Sequence, residues 1–165
     1  MMISEKLAEA MSVQVGREWA ASHQYVAIAT YFEREMLVKL AGFFYRQAAE
    51  EHEHAMKFVH HVTAAGGKVV IPSVEAPRHD INSAEMAAKL SVDWENEVTR
   101  QIRALMDQAV KENDYLAQDF LRWFINEQLE EVTTMEALLK VIQRAGPNGL
   151  LFVESYVAGL GDPHG

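Results

Sequence analysis

Cysteine is absent from the 165 residues, which excludes disulfides, iron–sulfur clusters and thiol nucleophiles. Basic residues are outnumbered 15 to 24, for a formal net charge of -9. A surface of that sign repels the phosphate backbone of nucleic acid and attracts metal cations. No apolar run approaches the roughly 20 residues needed to cross a bilayer, and Met1 to Ala10 lacks the hydrophobic stretch of a signal peptide. The expectation is a cytoplasmic protein with no nucleic-acid and no membrane partner. Proline (4) and glycine (9) are scarce, so long stretches run without a helix breaker.

What fills those stretches is Ala, Glu, Leu, Met and Lys, on a background 49% hydrophobic, and the preference is for helix. The fold class expected is all-α, one domain over residues 1–165, since this length supports a single core. The breakers mark four long segments and a short one. The first runs from about Ile3, with Ser4 as its cap, to Glu35. A second runs from Val38 to Ala65 and stops at Gly66-Gly67, a left-handed C-terminal cap. From Lys68 to Ile81 the chain is extended and turn-rich, long enough to cross the length of a bundle. Asn82 with Glu85 resembles a capping box opening a third helix to about Glu112. After a turn at Asn113-Asp114, a fourth runs from Tyr115 to Ala145, closing the main bundle at about 3–145. Beyond Gly146-Pro147, with Pro147 placed as a first residue, a short apolar helix covers about 148–160, and Gly161 to Gly165 form a frayed tail. Two short connections and one long crossover between the second and third helices match the topology of a ferritin-like four-helix bundle.

Each long segment carries a core stripe at 3-4 spacing that is interrupted near its middle by ligand-type side chains. The stripes read Leu7, Met11, Gln14, Glu18, Ala21, Tyr25, Ile28, Phe32; then Leu40, Phe44, Gln47, Glu51, His54, Phe58; then Ala84, Ala88, Ser91, Glu95, Val98, Ile102, Leu105; and Leu121, Phe124, Gln128, Glu131, Met135, Leu138, Ile142. Helices of similar length meet at their midpoints whatever their direction, so Glu18, Glu51, His54, Glu95, Gln128 and Glu131 converge at one level. Unpaired carboxylates in a low-dielectric interior cost several kcal/mol each, and their repulsion adds to that. Lys and Arg are missing from these positions, so a bound cation is the economical counter-charge. Oxygen-rich donors with one imidazole suit iron or manganese and permit zinc. Glu51 and His54, at i and i+3, share a helical face. One Glu-x-x-His pair is about what chance supplies in this composition; its weight comes from sharing a phase with Glu18, Glu95 and Glu131.

These residues resemble the non-haem ferritins of prokaryotes, through Glu18-Trp19-Ala20-Ala21-Ser22-His23-Gln24-Tyr25, Ala49-Glu50-Glu51-His52-Glu53-His54, Trp94-Glu95 and Asn126-Glu127-Gln128-Leu129-Glu130-Glu131. The resemblance implies a ferroxidase that oxidises iron(II) with dioxygen or hydrogen peroxide and stores iron(III) mineral in a cage. It implies two irons per subunit, one held by Glu18, Glu51 and His54 and the other by Glu51, Glu95 and Glu131. A third would lie at Glu50, Glu127 and Glu130, with Glu131 shared; the plainer alternative for those residues is a solvated acidic face. Gln128 would lie beside the second iron. Tyr25 reads either as an electron donor to the centre or as a hydrogen-bonded core tyrosine.

Haem-binding bacterioferritins carry a second Glu-x-x-His where this chain has Gln128-Leu129-Glu130-Glu131, and a Met where it has His52, so no haem is expected, although a histidine can ligate one. His23, His60, His61 and His79 lack a partner pattern and read as surface residues; Met11, Met86, Met106 and Met135 read as core filler. Other classes are a small-cage peroxide-detoxifying relative, a rubrerythrin-like peroxidase, whose cysteine-rich domain is missing, and a structural cage subunit without an oxidation site. The final segment, with Leu150, Leu151, Phe152, Val153, Tyr156, Val157 and Leu160, is too apolar for a solvated tail and is expected between subunits. By the resemblance, it lines the fourfold axis of a 24-subunit homo-oligomer.

Overall fold

The computed structural model describes residues 2–161; the rest of the expected tail lies outside the described residues. Five helices are present: α1 (Glu5–Arg34), α2 (Val38–Ala64), α3 (Ala84–Lys111), α4 (Tyr115–Ala145) and α5 (Leu150–Leu160). Ser4 caps α1, its hydroxyl accepting from the Leu7 amide at 3.0 Å. Asp114 caps α4 in the same way through Ala117. Asn113 ahead of it takes the left-handed conformation (φ 54), which asparagine tolerates better than most residues.

At α3 the expected capping box is not the one that forms. Ser83, in extended conformation, supplies the cap by accepting from Met86, and Glu85 instead faces Lys89 and Gln143. The seryl oxygen sits one residue later than the box register of Asn82 and Glu85 requires. The short helix begins at Leu150, within the expected span, with Gly149 as its N-cap and Pro147 in the turn before it.

The chain path follows from a few contacts. The Met2 amide donates to Ala65 O, and Ser4 donates to Glu112 at 2.6 Å, so α1 begins where α2 and α3 end. Residues 65–83 must therefore return along the bundle, leaving α2 and α3 parallel. They do so as a strap laid on α1: Val70 donates to Ser12 Oγ, and the Gln24 amide both donates to Arg78 O and accepts from Arg78 N. Gly16 permits this closeness, since a Cβ there would stand 2.5 Å from Pro72 Cγ.

The core is divided. One apolar cluster gathers Tyr25, Ile28, Phe32, Leu40, Phe44, Met135, Leu138 and Ile142, with Val153 and Val157 of α5. The other gathers Leu7, Met11, Val15, Phe58, Ile102, Leu105, Leu121 and Phe124. Buried polar side chains lie between them: Gln14, Glu18, Gln47, Glu51, His54, Ser91, Glu95, Glu127, Gln128 and Glu131. Met11 and Met135 fill the core as expected, whereas Met86 and Met106 are only half-buried. Among the described residues, no helix is long and apolar enough to cross a membrane.

Candidate metal centre

Four helices deliver carboxylates to the polar layer because each stripe continues through it without changing phase, so the side chains that interrupt it still point inward. Glu18, Glu51, Glu95 and Glu131 are all buried, at 0%, 1%, 0% and 4% exposure. Three sets of ligand atoms lie within 4.8 Å of one another: Glu18, Glu51 and His54; Glu51, Glu95 and Glu131; and His54, Glu127 and Glu131. Glu51 belongs to the first two sets, which is the arrangement of two adjacent ion sites sharing a carboxylate.

Within the layer His54 Nδ1 stands 3.1 Å from Glu51 Oε2 and 4.0 Å from Glu18 Oε2. Its ring is held edge-on against Trp123 and Phe124. Burial lowers the His54 pKa, favouring the neutral imidazole that a metal binds. Gln14 Nε2 donates to Glu18 Oε1 at 3.0 Å. The Tyr25 hydroxyl donates to Glu95 Oε1 at 2.5 Å. Gln128 Nε2 lies 3.1 Å from Glu95 Oε2 and 3.2 Å from Thr99 Oγ1.

Burial raises the pKa of Glu51 and Glu131 well above the ordinary carboxyl value, with neighbouring carboxylates adding to it. Glu95 is pushed up to about 7 by burial, against the lowering effect of its bonds from Tyr25 and Gln128. Meanwhile Glu18 Oε2 and Glu51 Oε1 are buried without a hydrogen-bond partner. Orphaned carboxylate oxygens in a dry layer are costly, and cations coordinated by them remove both that cost and the mutual repulsion. The donor set is oxygen with one imidazole, which fits iron(II).

The residues expected at a third position divide by depth. Glu127 is buried, Glu50 half-buried and Glu130 exposed. Together with Glu131 and Gln47 they line a cavity of about 110 Å³ beside the layer. Gln14 and Gln47 of the stripes also join the site, each one turn before a central glutamate. That spacing was the available signal; Thr99 gave none.

His52 is exposed and accepts a hydrogen bond from Trp19 Nε1 at 3.1 Å. His23, His60 and His79 are exposed, whereas His61 is half-buried with its ring stacked on Phe120 at 4.1 Å, a correction to its expected surface placement. In α5 only Val153 and Val157 are buried against the bundle; Leu151 and Phe152 are 77% and 79% exposed.

Residues 8–145 match the family model described as a ferritin-like domain. The chain is 43% identical over 148 residues to the ferritin BfrB of Mycobacterium tuberculosis, covering 90% of this chain and 81% of that one. It is 35% identical over 145 residues to the bacterial non-heme ferritin of Staphylococcus aureus, covering 88% and 87%. Among solved structures, an open pore ferritin from Archaeoglobus fulgidus superposes with a TM-score of 0.91 at 30% identity, covering 94% of this chain and 96% of that one.

Proposed function

The chain belongs to the ferritin family of iron-storage proteins, and on that premise we propose that its buried layer is a ferroxidase centre that binds two iron(II) ions and oxidises them with dioxygen. The observation that carries this reading is the sharing of Glu51 between the set with Glu18 and His54 and the set with Glu95 and Glu131. Iron is the substrate here. Two ions held side by side can give up two electrons together, and bridging carboxylates follow the change in charge by altering how their oxygens are used.

The chain's own residues prepare that event. Glu18, Glu51 and His54 hold one ion; Glu51, Glu95 and Glu131 hold the other. Gln128, anchored to Glu95 and Thr99, offers an amide toward the second ion or its oxygen ligand. Tyr25 keeps its proton, because burial raises its pKa well above the usual phenol value. It can therefore surrender an electron to the oxidant while passing its proton to Glu95. The cavity at Glu50, Glu127, Glu130 and Glu131 holds a third ion, on the way from the centre to the store.

Storage requires an enclosure. The exposed Leu151 and Phe152 of α5 form an apolar edge that a neighbouring subunit covers, within a cytoplasmic homo-oligomeric cage of 24 subunits. Anaerobic iron(II) titration followed by exposure to oxygen tests the reading. Two tightly bound ions per subunit, oxidised faster than in buffer, are expected, with a third and weaker one. Oxidation no faster than in buffer would remove the catalytic role, and retention of only stoichiometric iron would remove storage.

A further inference from the structure

The acidic cavity has one wall that the four long helices do not supply. Glu50 of α2 and Glu127, Glu130 and Glu131 of α4 form its acidic lining, against the single cationic side chain of Arg46, and Leu160 and Gly161, at the end of α5, close another side. Gln47, 5% exposed, also faces it, and its Oε1 lacks a hydrogen-bond partner. A buried acceptor of that kind calls for a cation or its water at this place. At about 30 Å³ per water, the space suits an ion with a partial hydration shell.

How α5 reaches this position is visible in its attachments. It packs on α2 and α4, with Val153 and Val157 as its buried anchors. Between them Glu154 makes a long-range cap. Its Oε2 accepts from the Leu40 amide at 2.7 Å and its Oε1 from the Lys39 amide at 3.1 Å. These amides open α2, whose own N-cap, Leu37, has no side-chain oxygen to offer. A carboxylate at a helix start satisfies orphan donors and meets the positive end of the helix dipole. Upstream, α5 is joined to α4 through Gly146, at φ 68, and Gly149, where a Cβ would stand 2.3 Å from the Ala145 carbonyl oxygen. That close approach sets where α5 begins, and the tie at Glu154 holds the helix beyond it against the start of α2.

We propose that the end of α5 is a lip on the acidic cavity that slows the passage of divalent cations between the cavity and the outside of the bundle, and that Glu154 is the positioning residue that keeps the lip in place. Leu160 offers no ligand atom, so an ion leaving past it must part from the carboxylates before it is rehydrated. The inference rests on the cavity being a cation site, as set out above.

The test uses the assembled full-length protein with cobalt(II) as probe. Cobalt is released into excess chelator, and the cavity phase is identified as the one missing from Glu130→Gln. Leu160→Ala and Glu154→Ala are expected to speed that phase roughly five- to tenfold, the effect of lowering a barrier by about 1 kcal/mol. Leu160→Trp slows it, and Glu154→Gln, which keeps one acceptor, recovers part of the parent rate. Release within twofold of the parent in both alanine variants, with cobalt stoichiometry preserved, overturns the lip. A melting point that falls in Glu154→Ala while release stays unchanged overturns the role of Glu154. If the parent shows no cavity phase at all while still binding two ions, the third site fails and the lip with it, but the dinuclear reading stands.

Discussion

The Tyr25 hydroxyl lies 2.5 Å from Oε1 of Glu95, while Gln128 Nε2 lies 3.1 Å from Oε2 of the same carboxyl group. Glu95 is fully buried, yet both its oxygens are met by neutral donors. This explains how it can be pushed up only to about 7. The pair is a hydrogen-bonded unit of one candidate iron ligand and its phenol, joining α1 to α3 across the bundle.

Tyr25→Phe removes one of the two bonds that hold the Glu95 pKa down. The acid limb of the iron-oxidation pH profile should then move to higher pH, because Glu95 must lose its proton before it can bind an ion. A hydrogen bond to a charged group contributes about 1.5–3 kcal/mol, so affinity for the second ion near neutral pH should fall roughly 10- to 100-fold. Isothermal titration with iron(II) under nitrogen measures it.

Metal-free protein should become less stable as pH rises. The buried carboxyl groups of Glu51, Glu95 and Glu131 have raised pKa values, so the folded state binds protons that the unfolded chain has released. The cluster is then neutral and tolerable below the ordinary carboxyl range, and its burden grows as pH climbs through about 7 for Glu95. For that residue alone the difference is on the order of 3 kcal/mol, at about 1.4 kcal/mol per pH unit. Urea melts of the metal-free protein at pH 5 and pH 8 measure the change, and added divalent cation should restore the loss at pH 8.

Glu51→Gln separates the cost of the layer from its use. With the shared carboxylate gone, both ion sites lose a ligand, and single-turnover oxidation should fall by at least ~100-fold, the upper end of what even outer-shell changes cause. The same substitution relieves repulsion with Glu18, Glu95 and Glu131, so the metal-free protein at pH 8 should gain about 1–3 kcal/mol of stability. Stopped-flow absorbance and chemical unfolding together check the opposed signs.

Met36→Gly should stabilise the turn between α1 and α2. Met36 is 80% exposed and sits at φ 60, a conformation that costs a side-chain-bearing residue about 1–2 kcal/mol. Part of that gain is returned as the greater entropy of glycine in the unfolded chain, leaving up to ~1 kcal/mol. Thermal melts of the metal-saturated protein measure it.

The bundle was legible in the sequence because its helices are bounded by strong signals. Ser4, Gly66 and Gly146 all act where their chemistry places them, and the interrupted stripes located Glu18, Glu51, Glu95 and Glu131 by phase alone. What stayed hidden was long-range or off by one position. Ser83 and Asn82 are both good caps, and only the backbone angles choose between them. Nothing local announces that Glu154 will serve a helix start more than a hundred residues earlier, or that Gln24 will clasp Arg78. The depth of Glu127 compared with Glu130 reflects its approach to His54 of α2, a contact between helices far apart in sequence.

The division of the core into two apolar halves by a plate of acid has a mechanical consequence. Trp94, half-buried, packs against both halves, and whatever ions occupy the plate add to the coupling there. Stripped of them, the molecule should breathe at its middle before it frays at its tips. Amide exchange around Glu51 and Glu95 would then accelerate ahead of that around Phe32 or Leu121, making iron loading a brace for the scaffold as well as a cargo.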